Sequence, residues 1–539
     1  MAEKHDVVVI GSGVAGLGTA CILAKDFNQK VLVLEKAPFI GGRLASWVGK
    51  GDKVYIDDVE LDANGFKRSL AMIGAWMPKC TPDLETCFKK GIFDGTTLDT
   101  GHGLFWGSKG KIRNLMDYLG KPVEMPCNVG FAFVDAKKGN KAYQVGKGEA
   151  YPWMSPEGFK ATMRALRDMA TMTMDDIGQT RHMSFEDWIQ ARNVPQEAYD
   201  YIKILAASQT GQADLRLTPA PDVLVHMATS GPIRMNLVEG SCASVPNPGT
   251  ISFALLMEQV LKENGGKVLR NSPVVDVIIE NGVAKGVTYQ TDKGFKTVYA
   301  DKIVCNIPSK QMLNLIHPRY FPQEIVDRIQ QEFWGAGMIT GFGNMKSDVW
   351  AEKGIEERSF IYMPDVIGKE EGYSGCIDMV LWNLANVNQG FNSNPELTAE
   401  TGSAPDGKHG WIFSTAMTHE EMRNPHKVSR VVEWNESWWK RTFGAKKWKS
   451  EMDFMLWMCT DHGFAWIQPI GTDRVDVKSP WVDGLYFTGD QYGERLLGCG
   501  VDAAALSVTL TVDSMMGSNT EEKVFPYYHR AMPAQVKTW

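Results

Sequence analysis

Four aliphatic residues, Val7-Val8-Val9-Ile10, run straight into Gly11-Ser12-Gly13-Val14-Ala15-Gly16. No other feature restricts the fold of this chain so tightly. The aliphatic run suits a strand buried on both faces of a parallel sheet. Gly11 permits a tight turn, Gly13 lets the backbone approach a pyrophosphate, and Gly16 lets the following helix pack close to the strand. That helix, spanning about Ala15 to Ala24, presents unpaired N–H groups and its positive dipole end to phosphates. A second apolar run, Val31-Leu32-Val33-Leu34, ends at Glu35. An acid about 20 residues past the glycines accepts from ribose hydroxyls and repels a 2′-phosphate. A glycine turn without a ligand is the competing reading. The ordered series of strand, glycines, helix, strand and acid argues against it and predicts an α/β, Rossmann-like unit.

The far end of the chain carries matching glycine motifs. Gly484-Leu485-Tyr486-Phe487-Thr488-Gly489-Asp490 is followed by Gly500-Val501-Asp502-Ala503-Ala504-Ala505. A lone glycine fingerprint does not separate NAD from FAD. Glu35-Lys36 followed by Gly41-Gly42-Arg43 narrows the choice, because it resembles the flavin-containing amine oxidase and phytoene (carotenoid) desaturase superfamily. Leu98-Asp99-Thr100-Gly101-His102 is similar to that family's Asp-x-Gly-x-His strand, and the block from Gly265 through Val274 to Pro308 is similar to its middle segment. The resemblance covers roughly a third of the chain, in order. It implies non-covalent FAD, bound by Gly11, Gly13, Ala15, Gly16, Glu35 and Lys36 at the first end. Gly41 and Gly42 pass the pyrophosphate, Arg43 sits near the flavin, and Val274 touches the adenine through its backbone. Gly489 and Asp490 serve the ribityl-pyrophosphate region. The helix opening at Gly500, with Val501 and Ala504, aims its N-terminus at the pyrimidine edge of the flavin.

Composition fits a large globular enzyme. At 539 residues, with 44% hydrophobic and 22% charged residues, the chain is too long for one simple core. The net charge of −7 points away from nucleic acid. Nine scattered cysteines argue against a disulfide framework, and no Cys/His spacing suits a metal. The first strand begins almost at once, which leaves no room for a leader, and no long uncharged apolar run occurs. A cytoplasmic location is therefore expected.

Motif positions set the expected organisation. Residues 1–50, 85–105, 240–310 and 465–515 should form a discontinuous FAD domain. Residues 106–239 and 311–464 should form an interleaved mixed α+β substrate domain. Segment 51–84 is an insertion without a template, and 516–539 a tail. Helices are expected over Thr250 to Asn264, Trp153 to Thr173 and Phe185 to Ala207, with Ser184 and Asp187 as a capping pair. Strands around Val274–Ile279 and Gly286–Gln290 should be joined by a turn at Glu280-Asn281-Gly282.

Four features bear on the substrate and the chemistry. Met154, Met163, Met169, Met172, Met174 and Met183 suit either a pliable apolar wall or ordinary helix core, and core is preferred. Trp434, Trp438, Trp439 and Trp448 alternate with Lys440, Arg441, Lys446, Lys447 and Lys449. Such a cluster suits either peripheral membrane contact or buried rings beneath a solvated basic face, and the second is preferred. His102, His462, Tyr492 and Glu494 lie in or beside flavin motifs and are the candidate acid, base or anion-holding groups. Cys499 reads as a small buried residue rather than a point of covalent attachment. Finally, amine oxidases of the superfamily often keep a lysine on a strand after the middle block. The corresponding position here falls near Met338, and no lysine lies between Gln311 and Asn344.

The resemblance, with this departure, implies hydride removal from an allylic C–H of an apolar unsaturated isoprenoid, a carotenoid or smaller terpene. The product would be a new C=C or an allylic alcohol, and the electrons would pass to a quinone, an electron-transfer protein or O2. An amine oxidase and a redox-neutral double-bond isomerase are the alternatives. Oligomeric state is left open.

Overall fold

The computed structural model describes residues 4–99, 105–106, 110–123, 130–135, 138–139, 141–145, 151, 154–210, 212, 214–229, 243–244, 249–332, 337–355, 359–362, 377–383, 404–405, 407–460, 469–493 and 498–526. Two large sheets dominate. The first, of seven strands, places Lys267–Leu269, Val31–Leu34, Lys4–Ile10 and the end of Gly294–Cys305 side by side and parallel, with Leu485–Phe487 added beyond. Val7, Val8, Val9 and Ile10 are buried, as an aliphatic run in a parallel sheet should be. Gly294–Cys305 serves two purposes. Its first half pairs antiparallel with Val283–Thr291 and is largely exposed, while its second half joins the parallel core and is buried.

Three helices pack side by side on one face of this sheet. Val14–Phe27 packs between Ile251–Glu263 and Gly500–Met516. Gly18 permits the approach, since a Cβ there would lie 2.9 Å from a Val508 methyl. Asn28, in the left-handed conformation, ends the first helix by donating its N–H to the Leu23 carbonyl. The expected turn after Val274–Glu280 is present, with Asn281 and Gly282 both at positive φ, the requirement of a tight hairpin.

The second sheet has eight strands, ordered Lys141–Val145, Gly130–Asp135, Ser359–Tyr362, Ile377–Asn383, His409–Met417, Gly337–Met345, Met452–Thr460 and Ala75–Thr81. Its strands alternate cleanly between two cores. Phe454, Leu456 and Met458 face one cluster, and Met455, Trp457 and Cys459 face the other. Gly341 and Gly343 make room for rings on the second face. A Cβ there would meet Trp457 at 2.7 Å and Trp411 at 2.5 Å.

That second face settles the tryptophan cluster. Trp438, Trp439 and Trp448 are buried against Trp350 and Trp411, and Trp434 is half-buried at the rim. They therefore offer no ring-lined membrane surface. Among the described residues, no helix is long and apolar enough to cross a membrane. The methionines follow the core reading as well. Met169 is fully buried, Met154, Met163, Met172 and Met174 pack against the same cluster, and Met183 alone of the six is exposed.

One expectation needs correction. The helix foreseen over Phe185 to Ala207 is two helices, Phe185–Gln190 and Gln196–Thr210. Pro195 and Asn193, the latter at φ 47°, interrupt it, and Pro195 was a readable breaker. Ser184 caps the first of these, accepting from Asp187 N at 3.0 Å. The untemplated stretch from 51 to 84 also has a definite structure. It supplies Lys53–Ile56 and Val59–Leu61 to a four-stranded sheet, a helix Ala63–Met72, and the edge strand Ala75–Thr81 of the eight-stranded sheet.

Candidate functional site

A cavity of about 780 Å³ lies where the two sheets meet. It is walled by the glycine turns of both chain ends and by the near ends of strands from the eight-stranded sheet. Such a volume falls within the usual range for cofactor and small-molecule sites.

At one end, Gly11 adopts φ 96° and Gly13 precedes the first turn of Val14–Phe27. A Cβ on Gly16 would lie 2.2 Å from the Gly11 carbonyl, so only glycine closes this turn. Asn306 completes it. With its amide oxygen toward the helix, it accepts from Gly16 N at 3.0 Å and Gly13 N at 3.3 Å. Gly13 has no side chain to cap the helix, and Asn306 takes that role from the end of Gly294–Cys305. The Val14 and Ala15 amides, both in the cavity wall, are left for a phosphate. Asn306 lay inside a recognised block, but its capping role follows from strand pairing alone.

Glu35 sits at the end of the second strand. Its carboxylate accepts from Ser12 N at 2.9 Å, Ser12 Oγ at 2.6 Å and Ala37 N at 2.8 Å. These contacts lock it in the wall, and a carboxylate's remaining lone pairs are available to a diol. Lys36 is exposed beside it, and Val274 lies in the same wall.

The middle of the cavity is framed by Gly41 and Gly42, both at positive φ. A Cβ on Gly42 would lie 3.7 Å from the Gly13 Cα, so the two glycine turns touch. Arg43 Nη2 donates to the buried Asp490 at 3.2 Å, joining residues from opposite ends of the chain. Gly489, at φ 127°, precedes Asp490 and donates its N–H to Ser507 Oγ at 2.8 Å. Beneath this frame, buried Asp99 accepts from Ser46 Oγ at 2.5 Å, Thr250 N at 3.0 Å and Thr250 Oγ1 at 3.1 Å. Burial raises its pKa above the carboxylate norm, and these hydrogen bonds pull the other way.

The far end is walled by Cys499, Gly500, Val501 and Ala504, at the start of Gly500–Met516. Opposite stand residues from the eight-stranded sheet. Met338 pairs with Thr460 across two strands, and Thr460 pairs with Ala75 across the next. This row carries Met338, Thr460 and the adjoining Ile73-Gly74 into the cavity.

Of the four candidate catalytic groups, His102, His462 and Glu494 lie outside the described residues. Tyr492 is described and lies in the cavity wall. Its ring is fully buried and stacked on Phe487, and its hydroxyl donates to the Ile307 carbonyl at 2.8 Å. Burial pushes the phenol well above its usual pKa, so it stays protonated. Cys499 is buried too, and burial holds its thiol well above the usual range, which disfavours the thiolate. Sequence reasoning overlooked His226. It lies in the cavity wall with Nε2 at 3.1 Å from the Cys499 carbonyl. Nothing in the local sequence marks it, because the helix Ala220–Thr229 approaches only through tertiary packing. Among the described residues, no group of His, Cys, Asp and Glu could hold a metal ion.

Open amides at a helix start, a locked acid at a strand end and glycines that admit a backbone-hugging ligand together fit an extended dinucleotide. Comparison with known proteins agrees. Residues 9–69 match the model of an NAD(P)-binding Rossmann-like domain. A 4,4′-diapophytoene desaturase (4,4′-diapolycopene-forming) from Methylomonas sp. is 34% identical over 85 residues, which are 15% of this chain and 16% of that enzyme. In three dimensions, an oxidoreductase from Methanosarcina mazei superposes with a TM-score of 0.64 at 18% identity, over 96% of this chain and 100% of that one. A putrescine oxidase bound to putrescine gives 0.60 at 14% identity, over 96% and 99%. The chain thus has the Rossmann-like α/β fold of the flavin-containing amine oxidases, with a second, mostly antiparallel sheet set against it.

Proposed function

We propose that this chain is an FAD-dependent dehydrogenase that removes an allylic hydride from an apolar, unsaturated isoprenoid. The observation that carries this reading is Met338. It lines the cavity near the position where the resembling amine oxidases often keep a lysine, and the lysines and arginines among the described wall residues are Lys36 and Arg43 alone. Both belong to the glycine-rich side, one beside Glu35 and the other paired with Asp490.

Bound FAD supplies a hydride acceptor at its N5 position. The chain's own contribution is binding, placement and dryness. The Val14 and Ala15 amides and Glu35 would hold the dinucleotide, and Arg43 with Asp490 ties the two chain ends together in the same wall. Met338, Ile73 and Leu315 offer an apolar wall against which a C–H bond is positioned and from which water is excluded. Loss of a hydride leaves an allylic cation on the substrate. Release of a proton to water gives a C=C, and uptake of water with release of a proton gives an alcohol. The two electrons leave to a quinone, an electron-transfer protein or O2.

A second reading, amine oxidation, is favoured by the likeness to putrescine oxidase over nearly the whole chain. Anaerobic mixing distinguishes the two. Under the first reading, monoterpenes or carotenoids bleach the flavin and amines do not. Bleaching by amines with none by terpenes or carotenoids overturns it. Turnover of a polyene with no net bleaching assigns the isomerase instead.

A further inference from the structure

The turn into Gly500–Met516 is held by one helix together with Arg474. Asp222, Val225 and His226 share one face of Ala220–Thr229, at the i, i+3, i+4 spacing that aligns side chains. His226 Nε2 lies 3.1 Å from the Cys499 carbonyl. A carbonyl only accepts, so Nε2 carries the proton of this neutral ring. Burial keeps it neutral, lowering its pKa against the opposing pull of Asp502 and with that of Lys111. One residue earlier, Arg474 Nη2 donates to the Gly498 carbonyl at 2.6 Å. Asp222 Oδ1 lies 3.5 Å from that nitrogen, in a pair buried almost completely. Val225 fits against the same turn, since a Cβ on Gly498 would meet its methyl at 2.6 Å.

This turn needs such support. Gly498 and Gly500 both have positive φ, at 90° and 69°, and glycine confines the backbone least. Peptide planarity then transmits the grip. In a trans peptide the N–H points opposite to its C=O. With the Gly498 and Cys499 carbonyls drawn onto Arg474 and His226, the Cys499 and Gly500 amides are fixed in the reverse sense. They lie at the positive end of the helix dipole.

We propose that Asp222, Val225 and His226, together with Arg474, form a positioning clamp that aims this helix N-terminus at the flavin ring and so sets the affinity and reduction potential of bound FAD. The inference rests on the FAD reading above. These are positioning residues, acting through two carbonyls.

The test compares wild-type protein with His226→Leu, His226→Gln and Arg474→Lys. FAD affinity is measured by titrating stripped protein, the midpoint potential by reductive titration, and folding by near-UV circular dichroism. His226→Leu should bind FAD about tenfold more weakly, the scale of one lost hydrogen bond in a buried site. Its flavin should be reduced at a more negative potential, because less positive field meets the charge that grows on reduction. His226→Gln keeps an N–H within reach of Cys499 and should recover most of both. A folded His226→Leu with wild-type affinity and potential overturns the clamp. If His226→Leu is insoluble, Arg474→Lys carries the same measurements, and no shift there overturns it too. Insolubility of all three variants shows a role in folding alone, and likewise overturns it. Wild-type protein that takes up no FAD defeats the cofactor reading itself, whereas unmoved values in FAD-loaded variants defeat only this inference.

Discussion

The seven-stranded and eight-stranded sheets each carry a core on both faces, yet they serve the cavity by opposite means. The first presents backbone. Its contribution is a set of glycine turns, open amides and one locked acid, all at strand ends. The second presents side chains. Met338, Thr460 and the Ile73-Gly74 segment come from three separate stretches and meet only because their strands pair in one register. Backbone recognition needs particular residues in a fixed order, because glycine takes positive φ most readily and alone permits the close approach of Gly16 to Gly11. Side-chain recognition needs only an apolar group at the right place in space.

The most severe way to break this contrast is Gly13→Val. Its first added atom would sit 3.0 Å from the Asn306 amide, and its methyls would fill the approach to the pyrophosphate. Purified protein should lose its flavin absorbance altogether, and a yellow, FAD-loaded variant contradicts the assignment. Glu35→Gln is milder. It weakens acceptance from Ser12 and Ala37 and from a ribose, so FAD affinity measured by titration should fall about tenfold or more.

The second sheet should respond without loss of cofactor. Gly343→Ala drives a methyl into Trp411 and should cost about 1–3 kcal/mol of stability in urea unfolding, the usual penalty for overpacking. Its FAD content after purification should equal that of wild type. A matching loss of FAD would show that the two sheets are not separable in this way. Met338→Ala should lower kcat/KM for an apolar substrate by roughly 10-fold or more, the scale of a few methylenes in a pocket, with unchanged flavin content.

The smallest effect is a slope. Burial outweighs the attraction of Arg474 and raises the Asp222 carboxyl to about 7, with Asp490 adding to the rise. Its folded pKa exceeds the unfolded one, so its contribution to stability is complete at low pH. That contribution is lost as pH rises through the window from about 4 to about 7. Asp222→Asn removes the titration. Whatever its absolute stability, its melting temperature relative to wild type should climb across that window and then level off. A constant difference from pH 4 to 8 would falsify the assignment.

Legibility in the sequence follows the same division. The strands at Val7 and Val31, the helix after Gly13, the hairpin at Asn281-Gly282 and the helix over Ile251–Glu263 were all readable, because each is specified by neighbours in the chain. Asn306, His226 and the Ala71–Gly74 segment were not, although all three line the cavity. Each reaches it through a partner far away in sequence. The break at Pro195 was visible locally and was masked by continuous apolar periodicity on either side. The tryptophan series shows the reverse limit. Its residue types suited either a surface or a core, and only the packing of Trp438, Trp439 and Trp448 against Trp350 and Trp411 reveals which way the rings point.

By itself, then, the sequence determined a Rossmann-like nucleotide site built from both ends of the chain, since backbone conformation there admits so few residues. Tertiary structure alone decided what stands opposite. It brought Met338, Thr460 and Ile73 into one wall and set His226 and Arg474 against the last glycine turn. The physical reason is that strand register and helix packing, which join residues without regard to their distance along the chain, leave no local pattern to read.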